Sequence, residues 1–219
     1  MAILKWDEIG ERLYETGTKK GVLYPQVGNA YPRGYAWNGL TAFTESPDGG
    51  EATDLFADDI KYISIRSREN FKATIEAYTY PEEFAACDGS AAIAAAPGVY
   101  IGQQPRKPFG FSCVTTIGND TEYEEHGYKI HLVWGATASP SEKSYQTIND
   151  SPEAITFSWE IDTLPVSVAG YKPTAHMEID STKANPTKLK ALEDILYGTA
   201  TTEARLPLPD EVIEILTAA

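Results

Sequence analysis

Cysteine is nearly absent from this chain. Its 219 residues hold only Cys87 and Cys113, too few for a disulfide framework and without the Cys-x-x-Cys spacing of zinc sites. Histidine is as scarce. His126, His131 and His176 are scattered, none stands in a His-Glu-x-x-His frame, and His131, alternating with Ile130 and Leu132, reads as a sheet-surface residue and not a ligand. No window approaches the roughly 20 apolar residues that span a bilayer. Residues 1–14 carry Lys5, Asp7, Glu8 and Glu11 where a signal peptide would have an apolar run. The expectation is a soluble protein made in a cytoplasm. Positive charge is short too: 18 Lys and Arg stand against 32 Asp and Glu, a formal net charge of −14. Such a balance argues against gripping nucleic acid, whose phosphates demand Lys and Arg. A Gly-x-Ser-x-Gly elbow, a phosphate loop ending in Gly-Lys-Ser/Thr and a dinucleotide fingerprint are all missing.

What is present is alternation. In Asn149 to Val166, Ile155, Phe157, Trp159 and Ile161 point one way while Thr156, Ser158, Glu160 and Asp162 point the other. This predicts a strand with one oily and one wet face. Asn149, Asp150, Ser151 and Pro152 supply turn chemistry before it, and Pro165 limits pairing after it. An aromatic-rich inner face needs a second layer, so the fold class is mainly β, a sandwich or barrel. A chain of this length removes roughly 70% of its unfolded surface from water, enough for one cored domain.

Other segments extend the pattern. Phe109 to Ile117 and Gly127 to Thr137 read as strands, the second with Tyr128, Ile130, Leu132 and Trp134 on one face, separated by a turn at Gly118-Asn119-Asp120 and an acidic loop Thr121 to His126. Pro173 to Asp180 is a further strand. Gly21 to Pro25 and Gly34 to Thr44 read as two strands or a hairpin turning at Asn38-Gly39. Ile60 to Arg66, with Ile63 and Ile65 on one face, and Asn70 to Tyr80 are expected to pair across Ser67-Arg68-Glu69. Between strands, Ser46 to Asp59 lacks periodicity and reads as a long exposed loop. Its Asp54, Asp58 and Asp59 lack the spacing of a calcium loop. Pro81 to Cys87 reads as a short helix stopped by Gly89, and Ala91 to Ala96 as a linker or close-packed crossing.

Helices are expected at the two ends. Trp6, Ile9 and Leu13 fall at helical spacing, with an extended arm as the alternative. Asn185, Pro186 and Gly198 bracket the stripe Leu189, Leu192, Ile195 and Leu196 as cap, first turn and stop. The apolar tail with Val212, Ile213, Ile215 and Leu216 either packs back or docks on a neighbour. The whole is read as a single domain, 1–219, with an N-terminal arm over about 1–20, the loop over about 46–59 and a C-terminal helical arm over about 185–219.

Candidate chemistry is thin. Glu76, Glu160 and Asp162 lie on polar strand faces, where paired carboxylates could serve glycoside hydrolysis, but polar sheet faces ordinarily carry such residues. The 13 Tyr and 4 Trp could line a sugar-binding platform; core aromatics explain them as well. The residues point to no enzyme, cofactor or metal.

A resemblance adds what spacing cannot. The segments YETGTKKGVLYP, YAWNGLTAFTESPDGGEATDLFADDIKY, ATIEAYTYPEEFAACDGS, GQQPRKPFGFSCVTTIGNDTE with HGYKIHLVWGATASPSEKSY, and NDSPEAITFSWEIDTLPV together resemble the major tail protein, or tail tube protein, of long-tailed, non-contractile bacteriophages of Gram-positive hosts. The resemblance implies a β-sandwich virion subunit, assembled in the host cytoplasm, that forms hexameric rings stacked into the tail tube. It also implies partners: the tape-measure protein, the tail terminator, the distal tail or baseplate proteins, and double-stranded DNA that passes without specific binding. On that reading Asp54, Leu55, Phe56, Asp58 and Asp59 belong to an inter-subunit loop. Some of Glu76, Asp120, Glu122, Glu160 and Asp162 would face the lumen, where an acidic wall repels phosphate. The alternative is a carbohydrate-binding, adhesin-like β-sandwich module.

Overall fold

The computed structural model describes residues 3–148 and 154–218, and strands dominate it. β1 (Tyr14–Pro25) is followed by β2 (Tyr35–Trp37) and β3 (Leu40–Glu45). Four strands then form a projecting ribbon with β8: β4 (Asp48–Gly49), β5 (Ala52–Ala57), β6 (Ile60–Arg66) and β7 (Glu69–Asn70) lead into β8 (Lys72–Ala77). A 3-10 turn, Glu82–Ala86, and a minimal ladder of β9 (Ala91–Ala92) with β10 (Tyr100–Ile101) precede the two long strands β11 (Phe109–Asn119) and β12 (Tyr123–Ala138). β13 (Phe157–Thr163), β14 (His176–Asp180) and the helices α1 (Pro186–Tyr197) and α2 (Pro209–Thr217) complete the chain.

The main sheet runs β2-β1-β11-β12-β13-β8-β3, with β14 also paired to β12. Its two end strands, β2 and β3, are separated only by Asn38-Gly39. The sheet must therefore curl back on itself, and its open edges lie side by side. Trp37 Nε1 donates to Thr79 O at 2.9 Å and ties β2 to the end of β8, while Tyr78 N, donating to Gly39 O at 2.8 Å, extends the β3–β8 ladder up to the turn. The Asn-Gly signal was a true turn, but it joins the ends of a rolled sheet and not the arms of a hairpin.

Both faces of β11 and of the middle of β12 are covered, which explains the nearly unbroken burial of β11 and the buried run Ile130 to Trp134 in β12. One face packs Phe109, Phe111, Cys113 and Val133 against Trp37, Ile75, Phe84 and Trp159. The other packs Ile130, Leu132 and Trp134 against Leu189, Leu192 and Leu196 of α1 and Val212 of α2. Each fully buried side chain of this size contributes about 2 kcal/mol by area removed from water. Two polar atoms caught in the second layer are satisfied: Trp134 Nε1 donates to Pro207 O at 2.9 Å, and Tyr24 Oη to Leu196 O at 2.9 Å. At Gly135, φ is +61° and an added Cβ would stand 2.3 Å from Leu164 O. This kink lets Ala136 and Ala138 leave β14 and pair with β13.

Helix α1 has the expected ends. Asn185 Oδ1 accepts from Thr187 N at 3.0 Å and Lys188 N at 3.3 Å, Pro186 stands in the first turn, and Gly198 closes it at φ +76°. The C-terminal tail packs back on its own subunit through Val212, Ile215 and Leu216.

Several expectations are corrected. Residues 6–13 are not helical: Asp7 and Gly10 have positive φ, and the segment is an extended arm. An isolated helix this short has no packing surface here to offset its nucleation cost. Ser46 to Asp59 is not a loop but the outgoing half of a hairpin, with β5 paired to β6. Hence β6 does not pair with β8 across Ser67-Arg68-Glu69; β8 pairs with β3 and β13. Tyr123 to His126 belong to β12 and not to a loop, and the turn is Asp120-Thr121-Glu122. The strand around Trp159 begins at Phe157, leaving Ile155 outside it. The turn residues Asn149, Asp150, Ser151 and Pro152 lie outside the described residues.

Candidate functional site

The ribbon is exposed along its whole length. From β3 and β8 its ladder continues through Ser46 N to Lys72 O at 2.8 Å, the β4–β7 pair, and Ser67 N to Glu51 O at 2.9 Å before reaching β5 and β6. Lys72 Nζ donates to Asp48 Oδ2 at 2.8 Å and staples the root. Gly49 permits the bend there, at φ +96° with an added Cβ only 2.3 Å from Arg68 O. At the tip Asp58 and Asp59 both take positive φ, the conformation of the tight hairpin turn. Register places Thr53 and Leu55 opposite Ile65 and Ile63 on one face, and Ala52 and Asp54 opposite Arg66 and Ser64 on the other. Asp54 is held by Lys61 Nζ at 2.8 Å. Every residue of β5 and β6 is exposed, including Leu55, Phe56, Ile60, Tyr62, Ile63 and Ile65. A two-stranded ribbon with an oily face is marginal alone in water, which makes this face a candidate contact surface.

The N-terminal arm is a second such feature. Ile3, Leu4, Trp6, Ile9 and Leu13 are exposed. Its middle is tied to the β11–β12 turn: Gly10 N donates to Asp120 Oδ1 at 2.9 Å, Asn119 Nδ2 donates to Gly10 O at 3.3 Å, and Arg12 lies 3.8 Å from Asp120.

The five acids singled out in the sequence fall in two places. Glu76 on β8 and Glu160 and Asp162 on β13 share the outer face of the β3–β8–β13 sheet, where Glu160 stands opposite Thr74 and Asp162 opposite Lys72. Asp120 and Glu122 sit apart, at the β11–β12 turn. There Asp120 anchors the arm, and Glu122 Oε2 lies 2.6 Å from His126 Nδ1. A cleft of about 610 Å³ lies on neither: Thr18, Lys20, Trp37, Leu40 and Tyr197 are among its lining residues, along the seam between β1 and β3.

Sequence reading missed one cluster. His131 is not a surface residue; it is 6% exposed, on the face of β12 turned toward Phe43 and Cys113. Cross-strand register sets it opposite Glu178 and sets His176 opposite Val133, so the three side chains share a face. Glu45, the last residue of β3, comes down on them, its Oε1 3.3 Å from His131 Nδ1 and 3.4 Å from His176 Nε2. Neither contact is aligned as a hydrogen bond, and both ring nitrogens are buried without a hydrogen-bond partner among the described residues. Burial, then the adjacent His131, pushes His176 down to about 4, and burial raises Glu45. No local motif could have revealed this group, because its members come from three strands, β3, β12 and β14, that are far apart in sequence.

No protein-family model matches the chain, and no curated protein matches it in sequence. Among solved structures the chain is similar to the PVC sheath/tube terminator of an extracellular contractile injection system in the extended state, at 8% identity and a TM-score of 0.33, over 81% of this chain and 99% of that one.

Proposed function

We propose that this chain is a structural subunit of a bacteriophage tail tube, forming hexameric rings that stack into the conduit for genome passage. One observation carries the reading: the β5–β6 ribbon leaves the body of the subunit with Leu55, Phe56, Ile63 and Ile65 uncovered. An exposed apolar ribbon of this kind marks a protein–protein contact. The sequence resemblance to major tail proteins supplies the kind of contact, a neighbouring copy in the ring or in the next ring. The N-terminal arm, with Trp6 and Ile9 exposed, serves the same assembly.

On this reading the outer face of β3–β8–β13 with Glu76, Glu160 and Asp162 lines the lumen, and its acids keep passing DNA from binding. Asp120 supports the arm instead, and Glu122 pairs with His126 at the same turn. The subunit needs no catalytic group and acts within the virion tail with a tape-measure protein, a terminator and distal tail proteins. Negative-stain microscopy across a concentration series tests the proposal. Wild-type protein should form rings or tubes with a central hole, whereas a chain with residues 51–67 replaced by a short Gly-Ser turn should remain monomeric and folded. Rings formed equally well by the shortened chain would refute the role given to the ribbon.

A further inference from the structure

We propose that Glu45, His131, His176 and Glu178 form a binding site for a divalent transition-metal ion of the zinc type. One ligand atom from each lies within 4.8 Å of all the others, close enough for one ion to reach the four. The chemistry of the set selects the class. Two imidazoles and two carboxylates suit Zn²⁺ and its neighbours, while calcium and magnesium take oxygen ligands alone.

The site is built, not incidental. His131 is more than nine-tenths buried, with Nδ1 aimed at the cluster and unpartnered. Its other nitrogen, Nε2, lies 3.0 Å from Thr115 Oγ1. When Nε2–H donates to that hydroxyl, the Nδ1 lone pair faces the cluster, the outer-shell arrangement that fixes a metal-binding tautomer. His176 is held between rings, stacked on Phe71 at 4.5 Å and on His131 at 5.7 Å with planes 8° apart. Leaving two buried ring nitrogens unsatisfied is costly, and a cation among these four donors would satisfy both while neutralising the two acids. The ion would also join β3, β12 and β14 at the root of the ribbon, since Glu45 directly precedes Ser46 and the β4–β7 pair. The site does not depend on the tail reading.

The test uses the full chain, stripped with chelator and titrated with Zn²⁺ by calorimetry, with metal content measured by mass spectrometry. One ion per chain at micromolar affinity or tighter is expected, with a raised melting temperature. Glu178→Gln, at a half-exposed position, and His176→Ala should each weaken binding about tenfold or more, and Thr115→Val about tenfold through loss of outer-shell support. His126→Ala, which alters only the contacts with Asn119 and Glu122 at the β11–β12 turn, should leave stoichiometry unchanged. Circular dichroism of each variant separates lost binding from lost folding, and Co²⁺ in place of Zn²⁺ should give visible bands that Glu178→Gln alters. Absence of stoichiometric uptake, or uptake lost in His126→Ala but retained in folded Glu178→Gln, would overturn the proposal.

Discussion

Replacing Leu55, Phe56, Ile63 and Ile65 together by Ser strips the oily face of the β5–β6 ribbon without touching the core. In the isolated subunit these side chains are 45%, 70%, 48% and 52% exposed, so roughly half of each remains to be covered. Full burial of such a side chain is worth about 2 kcal/mol, so covering the remainder adds about 1 kcal/mol apiece and about 4 kcal/mol for the four. At about 1.4 kcal/mol per tenfold, the contact should weaken by about three orders of magnitude, less whatever side-chain ordering takes back. Light scattering against concentration would read this as a shift of the assembly threshold by a factor of about a hundred to a thousand. The monomer should melt within about 8 °C of wild type, because each surface change away from the core moves stability by about 0.5 kcal/mol or less, about 2 kcal/mol for the four. Assembly at the wild-type threshold, or a monomer melting far lower, would refute the claim that this face exists to be covered by another copy.

Gly135→Ala forces a left-handed conformation on a residue with a Cβ and drives that carbon to 2.3 Å from Leu164 O; the two penalties should cost about 3 kcal/mol in urea unfolding, and a loss under about 1 kcal/mol would show that the kink relaxes freely. Burial pushes the Cys87 and Cys113 thiols up to about 12 from an unfolded value of 9.0. Native protein at pH 8 should therefore resist alkylation until denatured. Because the unfolded state gives up these protons first, their contribution to stability is full below pH 9 and is lost as pH rises from 9 toward 12. Rapid labelling of the folded chain would contradict that burial. Asp120→Ala removes the acceptor of Gly10 N and should speed tryptic cleavage after Arg12 about fivefold, the equivalent of about 1 kcal/mol for a partly exposed charge-assisted hydrogen bond; an unchanged rate would mean that the arm is held elsewhere.

Legibility in the sequence followed locality. The cap at Asn185, the stop at Gly198 and the oily and wet faces of β13 from Phe157 onward rest on residues a few positions apart, and each forms as its pattern predicts. Pairing partners did not follow in the same way. The alternation of Ile63 and Ile65 is compatible with a core strand or an exposed ribbon, and only the register Leu55 to Ile63 shows that the oily face meets no core of its own. The spacing of Trp6, Ile9 and Leu13 resembles a helix stripe, yet two positive-φ residues and the tie to Asp120 hold it extended. The Glu45–His131–His176–Glu178 group was invisible for the same reason. Its geometry arises from β3 descending onto the β12–β14 pair, a tertiary event with no short-range signature.

The most direct test of the assembly account is an electron cryo-microscopy reconstruction of assembled protein, resolved well enough to place the strands of each subunit. The account predicts a hollow tube in which Glu76, Glu160 and Asp162 face the channel and the β5–β6 ribbon lies against a neighbouring subunit. A solid or absent assembly at every concentration, or a tube with those acids outside and the ribbon in solvent, would contradict it.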